Sequence, residues 1–178
     1  MTTVVEVVHA RSDAFESFYA MHRGTIARAL SVTLRNPELA AEATDEAMSR
    51  AYARWSTVQT YENPAGWVYR VGLNWAHGVV RRRMRPRRVL HESDITQGAT
   101  PRDPDLHRAL ASLDVERRAV VVCRYLLGLS ESEIAEMLNI RPGTVKSRLS
   151  RGLEQLERAL RERPDPQRHD PTPSQERS

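Results

Sequence analysis

Cysteine is nearly absent from the 178 residues: Cys123 stands alone, so no internal disulfide can form. Its neighbours Val120, Val121, Val122 and Tyr125 mark it as a small buried hydrophobe. The histidines His9, His22, His77, His91, His107 and His169 are scattered, and no Cys or His group has zinc-ligand spacing. No glycine-rich loop cradles a phosphate, and no Ser-His-Asp or Cys-His arrangement suggests itself, so neither a cofactor nor catalysis by this chain is expected. Long apolar runs are missing too; none approaches the roughly 18 residues of a membrane span. The start, Met1 to Ala10, has four valines but no basic leader and is broken by Glu6, which is not the layout of a secretory signal. The protein is expected to be cytoplasmic. Lysine is almost missing as well, because all but one of the 27 basic Lys and Arg residues are arginine, the exception being Lys146. Arginine forks phosphates and guanine edges in a way an ammonium cannot.

What is present suits a helical, charge-bearing globular protein. Apolar residues make up 40% and charged residues 28%, with a formal net charge of +4. The length allows two small cores. Arginine fills positions 81, 82, 83, 85, 87 and 88 with no acid among them, a pattern of nucleic-acid contact or of a solvated tail.

From Ser12 to about Met84 the apolar periodicity is helical, beginning with Phe15, Phe18, Tyr19, Ile26, Leu30 and Leu34. Asn36-Pro37 is a turn that opens an Ala- and Glu-rich helix to Trp55; a loop, Ser56 to Glu62, follows. Asn63-Pro64 opens the next helix, since Asn accepts from free amides and Pro lacks the amide that would be orphaned there. Residues 89–105 carry Gly98, Pro101, Pro104 and several acids, and are expected to form a linker. Helical patterning resumes at Leu106. The expectation is an all-α chain: an extension over 1–11, a helical domain over 12–88, a flexible linker over 89–105, a second helical domain over 106–162 and a disordered tail over 163–178.

The second half holds a helix-turn-helix pattern. Ser130 and Glu133 form a capping box, and Ile134, Ala135 and Leu138 share one face of the helix they open. Asn139-Ile140-Arg141 makes the turn, and Pro142 starts the next helix. With Thr144 as zero and roughly 100° per residue, Val145, Leu149, Leu153, Leu156 and Leu160 fall in one apolar stripe. Thr144, Ser147, Arg148 and Arg151 take the other side, with Lys146 on a flank. Such a helix suits the major groove, where Arg reaches guanine O6 and N7. A surface helix with solvated arginines is the plain alternative. Arg141 is a poor capping residue, which a phosphate contact would explain.

On the helix after Asn63, the residues Arg70, Asn74, His77 and Arg81 recur at spacings of four, three and four and make one polar stripe that runs into Arg82 and the arginine cluster. Val68, Val71, Trp75 and Val79 take a neighbouring arc that faces the core. Asn suits adenine edges and Arg suits phosphates, although ordinary exposed polar residues would give the same pattern.

Together these segments resemble the extracytoplasmic-function (ECF) sigma factors, compact bacterial sigma subunits built from two helical domains, over about Phe15 to Leu160. Residues 37–55, PELAAEATDEAMSRAYARW, are similar to the family's core-binding helix. Asn63 to Arg70, Asn74 and the arginines are similar to its minus-ten reader. Glu133-Ile134-Ala135 with Gly143 to Leu149 is similar to its minus-thirty-five reader. The resemblance implies that Glu42, Asp45 and Glu46 dock on core RNA polymerase. It assigns the upstream element to Arg141, Thr144, Lys146, Ser147, Arg148 and Arg151, and the downstream element to Asn63, Arg70, Asn74, His77, Arg81 and Arg82. Promoter DNA and the two largest polymerase subunits would be the partners, and an inhibitory anti-sigma protein is common in the family. Asp45 where Gln is frequent, Glu42 where Asp is, Gly78-Val79 at often polar positions and Arg141 at a usual Ser or Thr depart from the pattern. A free-standing helix-turn-helix regulator is the alternative, and it accounts for the second half alone.

Overall fold

The computed structural model describes residues 3–83 and 103–162, and among them eight helices and no strand occur. The first half consists of α1 (Thr3–Leu34), α2 (Pro37–Ala53), the single turn α3 (Trp55–Val58) and α4 (Pro64–Arg83). The second half consists of α5 (Pro104–Ser112), α6 (Val115–Tyr125), α7 (Glu131–Leu138) and α8 (Pro142–Arg161).

Side-chain caps set many of the boundaries. Arg35 ends α1 in a left-handed conformation, φ 55°, and Asn36 then accepts from the Leu39 amide at 2.9 Å while Pro37 takes the first helical position. Asp103 and Asp114 cap α5 and α6 in the same way, accepting from Leu106 N and Arg117 N at 3.0 and 2.8 Å. Two expectations change here. The segment 1–11 continues the first helix from Thr3, and the acids and proline at 103–105 are a helix start instead of linker. The loop expected at 56–62 contains the turn α3, whose Trp55 and Val58 are buried. The remainder of the linker, Arg85, Arg87, Arg88 and the tail over 163–178 lie outside the described residues.

In the first half α1, α2 and α4 pack mutually, and small residues permit the approach. A side chain at Gly72 would stand 2.8 Å from Leu30 Cδ1 and 3.0 Å from the Ala43 carbonyl, so only glycine lets α4 cross both neighbours there. An aromatic group closes one end, with the Phe15 and Trp55 rings edge to face at 5.3 Å between centroids. In the second half α8 lies across α5, α6 and α7.

The halves also touch each other, α6 against α1 and α7 against α4. At the first contact the Arg118 guanidinium is buried and donates to three main-chain oxygens. Thr33 O of α1 receives NH1 at 2.8 Å, Leu110 O receives Nε at 2.9 Å, and Leu113 O receives NH2. Beside it Tyr69 is fully buried, its hydroxyl sharing a hydrogen bond with Thr33 Oγ1 at 2.8 Å. Burial, with Cys123 next to it, holds the Tyr69 phenol well above its ordinary pKa. Burial likewise pushes the Cys123 thiol up to about 12, which agrees with its reading as a buried hydrophobe.

Candidate nucleic-acid interface

The helix-turn-helix is built as its sequence suggests. Ser130 N donates to Glu133 Oε2 at 2.7 Å, and Glu133 N donates back to Ser130 Oγ at 3.3 Å, closing the capping box at the head of α7. The Ser130 hydroxyl, which donates to Glu133 Oε2 at 2.6 Å, and the Ser130 amide together hold the Glu133 carboxyl below the usual carboxylate range. Asn139 ends α7 in the left-handed region at φ 53°, a conformation that Asn tolerates, and so turns the chain into α8.

On α8, Val145, Leu149 and Leu156 are buried as expected, whereas Leu153 and Leu160 are exposed. The buried side instead includes Gly152, where an added Cβ would lie 3.0 Å from Val121 Cγ2 of α6. With Gly152 included, the back of the helix centres at roughly 110° from Thr144, which leaves the two leucines on its rim. The opposite face therefore centres near Ser147 and Arg151, both exposed, with Lys146 and Arg141 exposed beside them. Thr144 is half-buried, and its carbonyl accepts from Ser147 Oγ at 3.1 Å. Arg148 sits on the flank, half-buried and ion-paired with Glu116 of α6. Arg141 stands at the cap position of α8 and makes no side-chain capping bond.

The first-half stripe divides in two. Asn74, His77, Arg81 and Arg82 are exposed along α4. Asn63 and Arg70, at its start, face the second half instead. Asn63 accepts from Gly66 N at 2.7 Å as the expected cap, and its Nδ2 lies 3.5 Å from Glu133 Oε1, to which it donates. Arg70, half-buried, lines a cavity of about 270 Å³ between the halves, with Tyr61 and Trp67 on its own side and Glu133, Glu136 and Met137 opposite. Trp67 and Trp75 pack against the core, as their periodicity implies, and are only partly buried.

On α2 the acids stand together but are not equivalent. Glu42 is exposed; Asp45 accepts from Arg23 of α1 at 2.8 Å; Glu46 accepts from Arg50 at 2.7 Å. Glu116 and Arg118 belong to a run, Glu116-Arg117-Arg118, that resembles the family's entry helix of the second domain, but their contacts with Arg148 and Thr33 escaped the sequence reading, as did Gly72 and Gly152. The glycines had a signal, since each lies on the apolar side of an amphipathic helix, where Gly costs helix stability unless a neighbour needs the space. Among the described residues no helix is long and apolar enough to cross a membrane, and no His, Cys, Asp and Glu cluster could hold a metal ion.

The family model of Sigma-70, region 4 matches residues 104–156, from the start of α5 to within about the last turn and a half of α8. Similarity to relatives extends over both halves. The chain is 26% identical to the ECF RNA polymerase sigma factor SigW of Bacillus subtilis, over 89% of this chain and 95% of that one. It is 30% identical to SigM of Mycobacterium tuberculosis, over 83% and 77%, and 32% identical to SigL of that organism, over 91% and 97%. Among solved structures, the sigma factor RpoE bound to the anti-sigma factor NepR from Bartonella quintana matches with a TM-score of 0.69 at 18% identity, over 83% of this chain and 97% of that one. CnrH in complex with the cytosolic domain of CnrY matches with a TM-score of 0.58 at 19% identity, over 86% and 94%. A free-standing regulator leaves the first-half similarity unexplained, whereas two helical halves and relatives matched over both of them agree on one assignment: the chain belongs to the ECF RNA polymerase sigma factors.

Proposed function

We propose that this sigma factor divides promoter recognition between α8 and α4, with α2 as its hold on core RNA polymerase. The observation that carries the reading is the two-sided build of α8. Its apolar back is buried on α6 and α7, which fixes the helix, while Ser147, Arg151, Lys146 and Arg141 remain open on the other side. A rigid helix presenting arginines suits the major groove of the minus-thirty-five element, with Thr144 and Arg148 at its edge.

The stripe Arg70, Asn74, His77, Arg81 and Arg82, begun by Asn63, would meet the minus-ten element. Its arginines would neutralise phosphate and its polar residues hold bases of the separated strand, an opening that is cheapest at A·T-rich steps. Glu42, Asp45 and Glu46 present negative charge for a basic polymerase surface. The working units would be the first helical half, ending at 88, and the second, from the Asp103 cap to 162, joined by 89–102. The chain would turn over no substrate itself, act in the cytoplasm and be held in check by an anti-sigma protein, as the complexes of its structural neighbours suggest.

Run-off transcription with purified core polymerase on genomic fragments tests this directly. Discrete transcripts that require the chain are expected. A footprint made by the chain alone on a palindrome, with no dependence on polymerase, would overturn it.

A further inference from the structure

The three acids of α2 do not offer equal charge. With Glu42 as zero and roughly 100° per residue, Asp45 falls at about 300° and Glu46 at about 40°, on opposite edges of one face. Glu46 is held within its own helix by Arg50 one turn on, whereas Glu42 has no ion-pair partner among the described residues. Asp45 stands on the edge toward α1, where Tyr52, two turns further along α2, meets Phe15 at 5.0 Å between ring centroids. Its partner comes from that neighbouring helix, since Arg23 NH2 donates to Asp45 Oδ1.

Arg23 is seated before it reaches the acid. Its guanidinium carbon lies 5.7 Å from the centroid of the Tyr19 ring, one turn earlier on α1, and Tyr19 leans on Phe15 at 6.1 Å. The Arg23 Nε is buried and meets no acceptor among the described residues, so the side chain gives up a bond at its inner end and keeps one at its outer end. A surface ion pair between two loose side chains adds little to stability, because holding both in one geometry costs entropy. Here the ring limits the arginine and the hydrogen bond limits the aspartate. Asp45 Oδ1 is occupied, while Oδ2, on a side chain 61% exposed, bonds nothing among the described residues and can accept from a second cation.

We propose that Arg23 is a positioning residue for core polymerase: seated on Tyr19, it fixes Asp45 on the seam between α1 and α2 so that the second carboxylate oxygen meets a basic group of the polymerase in one place. The inference rests on the assignment of Asp45 to the polymerase surface made above. Charge alone predicts the reverse, because Arg23 cancels an acid that a basic partner would seek. The direction in which one substitution moves the affinity therefore decides between them.

Binding of the full-length chain to immobilised core polymerase is measured by surface plasmon resonance over a range of salt concentrations, with melting temperatures alongside. Arg23→Ala is expected to weaken binding about tenfold, with a nearly unchanged melting temperature and a salt dependence no steeper than that of the wild type. Arg23→Lys still reaches Asp45 but has no planar fork to lay on a ring, and should come within about threefold of the wild type. Arg23→Ala combined with Asp45→Ala should bind within about twofold of Asp45→Ala alone, because Arg23 acts through Asp45. Tyr19→Ala removes the seat and leaves both charges, and is expected to weaken binding about threefold. Should Arg23→Ala fail to fold, Tyr19→Ala decides, and unchanged binding by it then counts against the seat. Tighter or unchanged binding by Arg23→Ala, or losses that add in the double variant, overturns the proposal. Asp45→Ala binding as well as the wild type overturns the docking assignment itself, whereas weak binding by Asp45→Ala beside normal binding by Arg23→Ala overturns only the role of Arg23.

Discussion

Arg148 and Arg151 are one turn apart on α8, yet their surroundings differ, and so should their variants. Arg151 is exposed, whereas Arg148 is ion-paired with Glu116 and, on the proposed assignment, would have to exchange that partner for DNA. An exposed ion pair of this kind contributes about 0–1 kcal/mol, so Glu116→Ala should leave the melting temperature nearly unchanged. Arg148→Ala or Arg151→Ala is expected to weaken use of the upstream element by about 1–3 kcal/mol in a promoter-binding assay, with core polymerase pull-down intact. Loss of pull-down would mean that the face is misassigned. Glu133 gives a pH signature. Its native carboxyl is held below the ordinary range, so its contribution to stability is complete above that range and disappears as the pH falls through the lowered native value. Glu133→Gln, which can still close a capping box, should flatten that acid limb in denaturation midpoints measured against pH.

The elements were the most legible level of this protein. Asn36-Pro37, Asn63-Pro64 and Ser130 with Glu133 announce their helices because a cap is a local interaction between residues a few positions apart, and the structure shows each bond. The extent of α1 and the start of α5 were less legible. Nothing in the apolar pattern of Met1 to Ala10 distinguishes a helix from an extension, and Pro101 with Pro104 signals a break as readily as a first helical position. Leu153 and Leu160 escaped because a helical stripe gives the spacing of apolar residues but not where the partner helix ends. Two substitutions test the packing. Asn36→Ala should cost about 1 kcal/mol by removing the α2 cap. Gly152→Leu would drive a side chain into Val121 and should cost about 1–3 kcal/mol, seen as a lower melting temperature with the helix content retained. On α2, Asp45→Arg with Glu46→Arg should abolish polymerase pull-down without unfolding the chain, although it also releases Arg23 and Arg50 from their partners.

At the scale of the whole molecule, two helical halves could be foreseen from the sequence, and their mutual contact could not. Periodicity marks which face of a helix is buried, but Arg118, a charged residue in an otherwise ordinary Glu116-Arg117-Arg118 run, carries no sign of burial until Thr33 is seen beside it. Salt should separate the tasks of the molecule. Promoter binding by the polymerase complex is expected to fall steeply and linearly on a logarithmic scale as salt rises, because on the proposed assignment arginines on α4 and α8 would displace counterions from phosphate. A flat dependence between low and physiological salt would count against both stripes.

Hybrid proteins offer a route that ordinary side-chain pairing would forbid. The guanidinium that joins the halves binds only peptide oxygens, and every residue type supplies one of these. Such a fastening depends on where the backbone runs and is indifferent to the amino acids along it. Front and rear segments exchanged between distant relatives of like fold should therefore still latch, so that the latch can persist while the sequences on either side of it drift.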